Sequence, residues 1–421
     1  MAEFNAQGVQ GAGGAATTGT GRVGNVDVLR AAAAFSVLAG HAYVLGGRDI
    51  PLRAERWYDV PLLQTATGVW LFFAISGYVI SKPFVDRLVT GRPLPDLVPY
   101  AIKRALRIFP LYWIALAAVL IVYGAGVTNG WHYPFHFALL HNLVPGRQGS
   151  LFSVAWTLTL EVLFYIAMPL LALAVRRAGN VTAERLAGLV LATWLASILA
   201  TAGADLYEVG LTGTWLRGSF PTMWQMFCPG ILLAIAPHLR EPAWRRWLVD
   251  LPAGGRALPL AAACLLVAAI LYARPPLRFG LNIGQLTVDG ARPLFAIGYG
   301  LVLAKAVGAR AWFEERARFV LHLGLISYGV YLWSAVLLYA LVSANGERFV
   351  PLPSEGLAAY LVHLAFLAGL TVLLAMASWR WFELPFIRLA STLGDRWNRR
   401  TGRVSAPARG GRDPGTPEGS V

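Results

Sequence analysis

Ten apolar segments, each about as long as a bilayer is thick, recur along this chain. They cover residues 26–46, 61–81, 108–126, 153–175, 186–204, 219–237, 257–273, 288–306, 320–342 and 357–378. A helix needs about 20 apolar residues to cross the hydrocarbon core, where only helices and closed barrels satisfy their main-chain groups. The pattern therefore predicts an all-α fold, a polytopic transmembrane helical bundle of about ten spans.

The composition excludes several other classes of protein. Hydrophobic residues make up 57% of the chain and charged residues 14%, whereas charged residues are about 25% of a soluble domain. The net charge of +14 is spread between apolar runs, so no nucleic-acid partner is expected. Cys228 and Cys264 lie inside apolar segments and have no metal-ligand spacing, which predicts neither a disulfide framework nor a metal cofactor.

The distribution of basic residues predicts the orientation in the membrane. Alternate connections and their flanks hold 27 of the 36 lysine and arginine residues. Because basic residues collect on the cytoplasmic side, both termini are expected there, in a multi-pass protein of the cell (plasma or inner) membrane. Residues 82–107 are interpreted as a basic cytoplasmic loop, and residues 379–389 as a helix in the cytoplasmic interface.

The composition along the sequence predicts three parts of the chain. Residues 1–24 are rich in Gly, Ala and Thr and are expected to form a disordered cytoplasmic leader. The membrane domain is expected at residues 25–390. Residues 391–421, rich in Arg, Gly and Pro, are expected to form a disordered basic tail.

Arg30 and His41 lie in the first apolar segment, where charged and titratable groups are costly. At about 100° and 1.5 Å per residue, both lie on one side of a helix, about 16 Å apart along its axis. His41 is a candidate general base, because neutral imidazole accepts a hydroxyl proton near physiological pH. The structural alternative is a buried histidine that bonds a neighbouring helix.

Arg30 is a candidate contact for a phosphate or carboxylate that enters from the cytoplasm. Asp27 lies three residues earlier on the same helix face, where it can hold the arginine. Alternatively, Arg30 only fixes the depth of the helix in the bilayer. Arg104 and Arg107 are also three residues apart, so they share a face that can bind two phosphate oxygens, or they only report the cytoplasmic side.

Glu161 is the only acidic residue of the fourth apolar segment. It is interpreted as orienting His41, moving a proton or binding an acceptor hydroxyl, with a purely structural ion pair as the alternative. Ser327 and Tyr331, together with Tyr328, place hydroxyl groups that line a cavity or bond another helix.

Histidines also occur in a connection between the third and fourth segments. His132 and His136 have the spacing of a zinc pair on a helix, and His141 follows. Pro134 interrupts that helix and no acidic residue or cysteine lies close by, so an interfacial segment is favoured over a metal site.

Six short elements in order resemble the acyltransferase-3 family of integral membrane O-acyltransferases, which act on sugars, peptidoglycan or macrolides. The resemblance covers residues 24 to 390. The elements are Asp27-x-x-Arg30 followed by His41, Phe72-Phe73-x-x-Ser76-Gly77, Arg104 to Tyr112, Trp156 to Glu161, Ser327 to Trp333, and Glu383 to Phe386. Val162 and Ser334 depart from the family pattern, in which an acidic or amide residue and a histidine are common at these places.

The resemblance implies an enzyme that moves an acyl group, often acetyl, from acyl-CoA to a hydroxyl of a glycan or of a glycosylated or macrolide small molecule. It implies CoA phosphates at Arg104, Arg107 and Arg30. It further implies that His41 acts as the base or as a transient acyl carrier, with Glu161 tuning it. Ser76 is a further candidate site residue, because it lies in the Phe72-Phe73-x-x-Ser76-Gly77 element.

A proton-coupled transporter or flippase is the alternative class, because intramembrane His and Glu residues also suit a proton relay. The sequence shows no evident inverted halves or broken helices in matching positions, which disfavours that class. A structural membrane protein would leave the buried titratable groups unexplained.

Overall fold

A computed structural model describes the chain at residues 20–45, 62, 64–123, 133–145, 147, 150–179, 181–206, 215–273, 291–309, 318–342 and 356–402. The regular secondary structure in these ranges is helical, as predicted. The first six helices are α1 (Thr20–Leu45), α2 (Gly68–Val89), α3 (Leu97–Tyr123), α4 (Ala155–Ala178), α5 (Ala183–Leu206) and α6 (Cys228–Ile235). The other six are α7 (Ala257–Ala273), α8 (Arg292–Gly308), α9 (Arg318–Leu325), α10 (Ser327–Leu341), α11 (Gly356–Ser378) and α12 (Leu384–Arg400).

Short helical segments connect these elements. Between α3 and α4 lie Tyr133–Phe137 and His141–Leu143. The segments Phe220–Met223 and Trp224–Met226 lead into α6, and Ala236–His238, Pro242–Arg245, Arg246–Asp250 and Leu251–Ala253 follow it. The turn Thr65–Thr67 precedes α2, and the π-helical segment Trp379–Glu383 joins α11 to α12.

The length and composition of the helices indicate a membrane protein. Among the described residues, five helical stretches are long and apolar enough to cross a bilayer: Thr65–Val89, Leu97–Val122, Ala155–Ala178, Ala183–Ala204 and Leu357–Arg400. The number rises to eight if each of three bent helix pairs is one span. Ten spans and two cytoplasmic termini stay predictions.

Two predicted spans are bent in the structure. The helices Phe220–Met226 and Cys228–His238 meet at 49°, and Phe319–Leu325 and Ser327–Leu341 meet at 68°. Pro242–Ala253 and Ala257–Leu271 meet at 86°, but this bend comes before the predicted span 257–273, which is one helix. The sequence predicts 219–237 and 320–342 each as one span without a bend, because hydropathy reports that a segment is apolar and not that it is straight.

The interpretation of residues 82–107 as a loop was also wrong. Helix α2 continues to Val89 and α3 begins at Leu97, so only a short connection separates them. Helix α12 packs along this part of α3, and the Trp397 indole donates a 3.0 Å hydrogen bond to Asp96. This tertiary packing, together with the good helix propensity of Lys and Arg, extends α3 beyond its apolar run.

Helix α12 also changes the expected boundary near the C-terminus. It continues to Arg400, whereas the sequence predicts a disordered tail from residue 391. Its apolar face packs on α3, and this packing stabilises a helix in a segment whose composition alone favours disorder. Helix α1 begins at Thr20, inside the predicted leader. Residues 1–19 and 403–421, the rest of the predicted leader and tail, lie outside the described residues.

Small residues bring α2 and α6 into main-chain contact. A methyl group on Gly77 would overlap the carbonyl oxygen of Phe227, and one on Gly230 would overlap that of Ala74. Helix α2 also packs against α1, α4 and α8, so it lies at the centre of the bundle. The close contact with α6 sets the position of Ser76, the neighbour of Gly77.

Candidate active site

One cavity gathers most of the residues that the sequence selects. It has a volume of about 100 Å³ and lies between α1, α2, α3, α4 and α10. Seven of the nine candidate residues line it: Arg30, Ser76, Arg104, Arg107, Glu161, Ser327 and Tyr331. The structure therefore brings together elements that are far apart in the sequence. Asp27 and His41 are not among the lining residues.

Glu161 presents its carboxylate to two hydroxyl donors. The Tyr165 hydroxyl donates a 2.5 Å hydrogen bond to Glu161 Oε1, and the Ser76 hydroxyl donates one of 3.1 Å to the same oxygen. Tyr165 also lines the cavity. Sequence reasoning missed its role, although it lies one helical turn after Glu161, where side chains share a face. Hydroxyl donors of this kind hold a carboxylate in place without neutralising it.

Arg104 is held by aromatic rings. Its guanidinium carbon lies 5.3 Å from the centre of the Tyr165 ring and 5.6 Å from that of Tyr100. Within the part of the chain that the structure describes, Arg104 forms no salt bridge, and its buried Nε has no hydrogen-bond partner. A guanidinium oriented by rings, with hydrogen-bond donors to spare, suits the binding of an anionic ligand.

Arg107 is paired with a buried carboxylate. Its Nη1 lies 3.6 Å from Glu383 Oε2, and the Glu383 side chain is only 1% exposed. The rings of Trp379 and Tyr328 also contact the guanidinium, at 5.5 and 6.0 Å from their centres. Sequence reasoning quoted Glu383 within a motif but gave it no role. The π-helical segment that ends at Glu383 places it there, and such segments are frequent at functional sites.

Arg30 and Asp27 form the expected pair on α1. Arg30 Nη1 lies 3.7 Å from Asp27 Oδ1. Helix α9 approaches here so closely that a methyl group on Gly324 would overlap the main chain of Asp27. Arg30 also reaches the cavity, so Asp27 supports it from outside the wall.

His41 does not line the cavity, but it contacts α10, which forms part of the cavity wall. Its Nδ1 is 2.9 Å from the Ser334 hydroxyl, which donates a 3.0 Å hydrogen bond to the Tyr331 carbonyl oxygen. The Tyr331 side chain lines the cavity. The side-chain partner of His41 is therefore Ser334. One interpretation of the sequence had expected Glu161 in this role. Serine in an apolar helix gave no sequence signal beyond its departure from the family pattern.

The histidines between α3 and α4 form a buried pair. The rings of His136 and His141 stack with their centres 4.5 Å apart. Burial, with a smaller contribution from His136, lowers the pKa of His141 to about 3. His132 lies outside the described residues, and no group of three metal-ligating side chains occurs among those that are described. The interfacial interpretation of this segment stays a prediction.

Comparison with known proteins decides the class. The profile of a family described as an acyltransferase domain matches residues 23–380. The chain belongs to the acyltransferase-3 family. "Nodulation protein 10" of Rhizobium leguminosarum bv. viciae is 26% identical over 397 residues, which cover 89% of this chain and 96% of that protein.

A second relative is similarly distant. "Exopolysaccharide production protein ExoZ" of Rhizobium meliloti (strain 1021) is 26% identical over 336 residues, 77% of this chain and 90% of that protein. No solved structure matches the chain significantly. Family membership decides between the enzyme and transporter classes that the sequence left open, and identifies this membrane protein as an acyltransferase.

Proposed function

We propose that this acyltransferase transfers an acetyl group from acetyl-CoA to a hydroxyl of a glycan at the cell membrane. The observation that carries the proposal is the convergence of Arg30, Arg104, Arg107 and Glu161 from three helices on one cavity. Family membership supplies the reaction class, and the donor, the acyl group and the residue roles are proposed here.

The donor binds through its phosphates to the arginines. Arg104 is the foremost contact, because it forms no ion pair among the described residues and carries unused hydrogen-bond donors. Arg30 is paired with Asp27 and Arg107 with Glu383, so both arginines add positive charge but are partly compensated. Placing the arginines at the cytoplasmic side gives access to a cytoplasmic thioester, in keeping with the distribution of basic residues.

The thioester reaches His41 along α1. Arg30 and His41 lie about 16 Å apart along this helix, which is of the order of an extended pantetheine arm. His41 removes the proton of the acceptor hydroxyl. The hydroxyl oxygen forms a bond to the acyl carbon of the thioester, and the carbon–sulfur bond breaks. The thiolate of CoA leaves and takes up a proton. Transient transfer of the acyl group to the imidazole is the alternative route.

Glu161 is assigned to the cavity end of this path. Because its carboxylate bonds Ser76 and Tyr165 and not His41, it acts on the bound ligands rather than on the imidazole. It orients a hydroxyl or the amide groups of the pantetheine arm, or moves a proton through Tyr165.

The acceptor class is proposed from the relatives. One is named for nodulation and the other for exopolysaccharide production. A cell-surface or exported glycan is therefore the first acceptor to test. Glycosylated and macrolide small molecules are the second arm of the same test.

The experiment uses the purified full chain in lipid nanodiscs with acetyl-CoA and candidate acceptors. Release of free CoA is followed with a thiol reagent, and the acylated product is identified by mass spectrometry. His41→Ala should lower acceptor-dependent turnover by about 10²- to 10⁴-fold while acetyl-CoA still binds. Unchanged turnover in this variant would exclude the role of His41, and absence of CoA release with every acceptor would contradict the proposed donor.

A further inference from the structure

The contact between His41 and Ser334 determines which nitrogen of the imidazole is free to act. Ser334 is fully buried on α10, and its Oγ lies 2.9 Å from His41 Nδ1. The same Oγ lies 3.0 Å from the carbonyl oxygen of Tyr331, one turn earlier. The Ser334 hydroxyl thus contacts both the His41 imidazole and the Tyr331 carbonyl. The chemistry of the carbonyl decides whether Ser334 donates a hydrogen bond to His41 or accepts one from it.

The count of protons assigns the direction of both bonds. A carbonyl oxygen only accepts, so the single hydroxyl proton of Ser334 is donated to Tyr331. Toward His41, the Ser334 oxygen therefore acts as the acceptor, and His41 Nδ1 carries the proton. A neutral imidazole has one N–H, so the lone pair is on Nε2.

We propose that Ser334 is a positioning residue that holds His41 as the Nδ1–H tautomer, so that Nε2 takes the proton of the acceptor hydroxyl. This inference rests on the proposed acyl transfer for its catalytic meaning. The partner is a neutral hydroxyl and not a carboxylate, since Glu161 is engaged with Ser76 and Tyr165.

The position of Ser334 is itself fixed from the cavity side. The Tyr331 hydroxyl donates a 3.0 Å hydrogen bond to the carbonyl of Val154 and lies 2.7 Å from the Thr157 hydroxyl. These contacts anchor α10 to the start of α4, and Tyr331 also lines the cavity. The imidazole is therefore oriented by the same helix turn that forms a wall of the donor site.

The direct test is ¹⁵N NMR of the full chain, labelled with [¹⁵N]histidine, in nanodiscs. A His41→Gln variant assigns the signals of His41 among the seven histidines. The wild-type spectrum should show a protonated Nδ1 and an unprotonated Nε2, and Ser334→Ala should shift the population toward the Nε2–H form. Because this readout needs no substrate, it tests the inference even if the protein does not use acetyl-CoA.

Kinetics supply the second readout. Ser334→Ala should lower kcat about 10-fold or more with little change in KM, since only the orientation of the base is lost. Ser334→Thr keeps the hydroxyl and should restore both the spectrum and most of kcat. Ser81→Ala is the matched control, because Ser81 is also fully buried and bonds the carbonyl of its own helix at Gly77.

Three results would overturn the inference. They are a wild-type His41 protonated at Nε2, a Ser334→Ala variant with wild-type spectrum and kcat, and a loss of kcat of the same size in Ser81→Ala. If Ser334→Ala fails to fold, the wild-type spectrum and Ser334→Thr still decide the tautomer.

Discussion

Arg107 Nη1 lies 3.6 Å from Glu383 Oε2, and this ion pair joins a wall of the cavity to the segment that follows the last apolar helix. Helix α12 begins directly after Glu383 and packs along α3, which carries Arg107. The segment after the last apolar helix is thus connected to a wall of the cavity by a pair of charges. Removal of one partner leaves the other uncompensated in a largely buried place.

The coupling of this pair is measurable. Glu383→Gln and Arg107→Gln should each destabilise the protein, because each leaves an unpaired charge, and the double variant should be less affected than the sum. A double-mutant cycle on thermal unfolding in detergent should give a coupling energy of about 1–3 kcal/mol. Additive effects of the two substitutions would show that the pair contributes nothing to stability.

Arg104 should contribute to donor binding more than to the chemical step. Arg104→Gln removes a cation that tyrosine rings orient, so KM for acetyl-CoA should rise about 10-fold or more with a smaller change in kcat. Steady-state kinetics in nanodiscs provide the measurement. Arg87→Gln is the control, because Arg87 is a solvent-facing arginine of α2 that bonds the carbonyl of Pro93. An equal rise of KM in both variants would point to general electrostatics instead of a specific contact.

Glu161 allows charge and hydrogen bonding to be separated. Glu161→Gln keeps an oxygen that accepts from Ser76 and Tyr165, so the local structure should persist while the negative charge is lost. If the charge takes part in the reaction, kcat should fall about 100-fold. Tyr165→Phe removes one donor and should have a smaller effect on kcat. A Glu161→Gln variant that turns over at the wild-type rate would exclude a catalytic charge.

Gly77 should tolerate no side chain. A methyl group there would overlap Phe227, and the obstacle is main chain that cannot rotate away. Gly77→Ala should therefore destabilise the protein by about 1–3 kcal/mol or prevent its accumulation in the membrane. Tryptophan fluorescence during thermal unfolding reports the change. The control is Gly188→Ala on α5, where a methyl group has open space and the midpoint should stay the same or rise.

His141 should make stability depend on pH. Its pKa in the folded protein is lowered to about 3 by burial and by His136, so the unfolded chain binds more protons below its pKa of about 6.5. The contribution of neutral His141 to the free energy of unfolding is therefore fully present above about pH 6.5. It declines as pH falls toward about 3, by up to about 1.4 kcal/mol per pH unit. His141→Gln should make the unfolding midpoint less sensitive to pH between 7.5 and 5.5. An unchanged sensitivity would show that other groups carry the acid dependence.

The sequence predicts the charged residues of the site because charge in an apolar segment is conspicuous. Arg30 and Glu161 were found in this way, whereas Arg104 and Arg107 were found as two arginines on one helix face beside an apolar segment. The structure places all four around one cavity. Their convergence required the packing of α1, α3 and α4, which no local pattern encodes. Family motifs added Ser76, which has no conspicuous chemistry of its own.

The residues that sequence reasoning missed are those whose role comes from a partner. Ser334 matters through His41, and Tyr165 through Glu161 and Arg104. Glu383 lies after the last apolar segment, so it was assigned to an interfacial helix and not recognised as the partner of Arg107, which lines the cavity. The bend before Ser327 was missed for a related reason, since apolar residues on both sides of it give one continuous hydropathy peak.

That 68° bend between α9 and α10 has a consequence for the resting enzyme. It lies beside Ser327 and Tyr328, which border the cavity. A break in a helix leaves main-chain groups outside the regular ladder, and lipid tails cannot solvate them, so such breaks persist only against protein or water. The main chain at this bend therefore lies against protein or water, and Ile326 at the bend is fully buried, so the bend belongs to the interior of the bundle and not to its lipid-facing surface. Any water that enters the cavity beside this bend competes with the acceptor for an activated acyl group, so transfer has to be faster than hydrolysis for the donor not to be wasted.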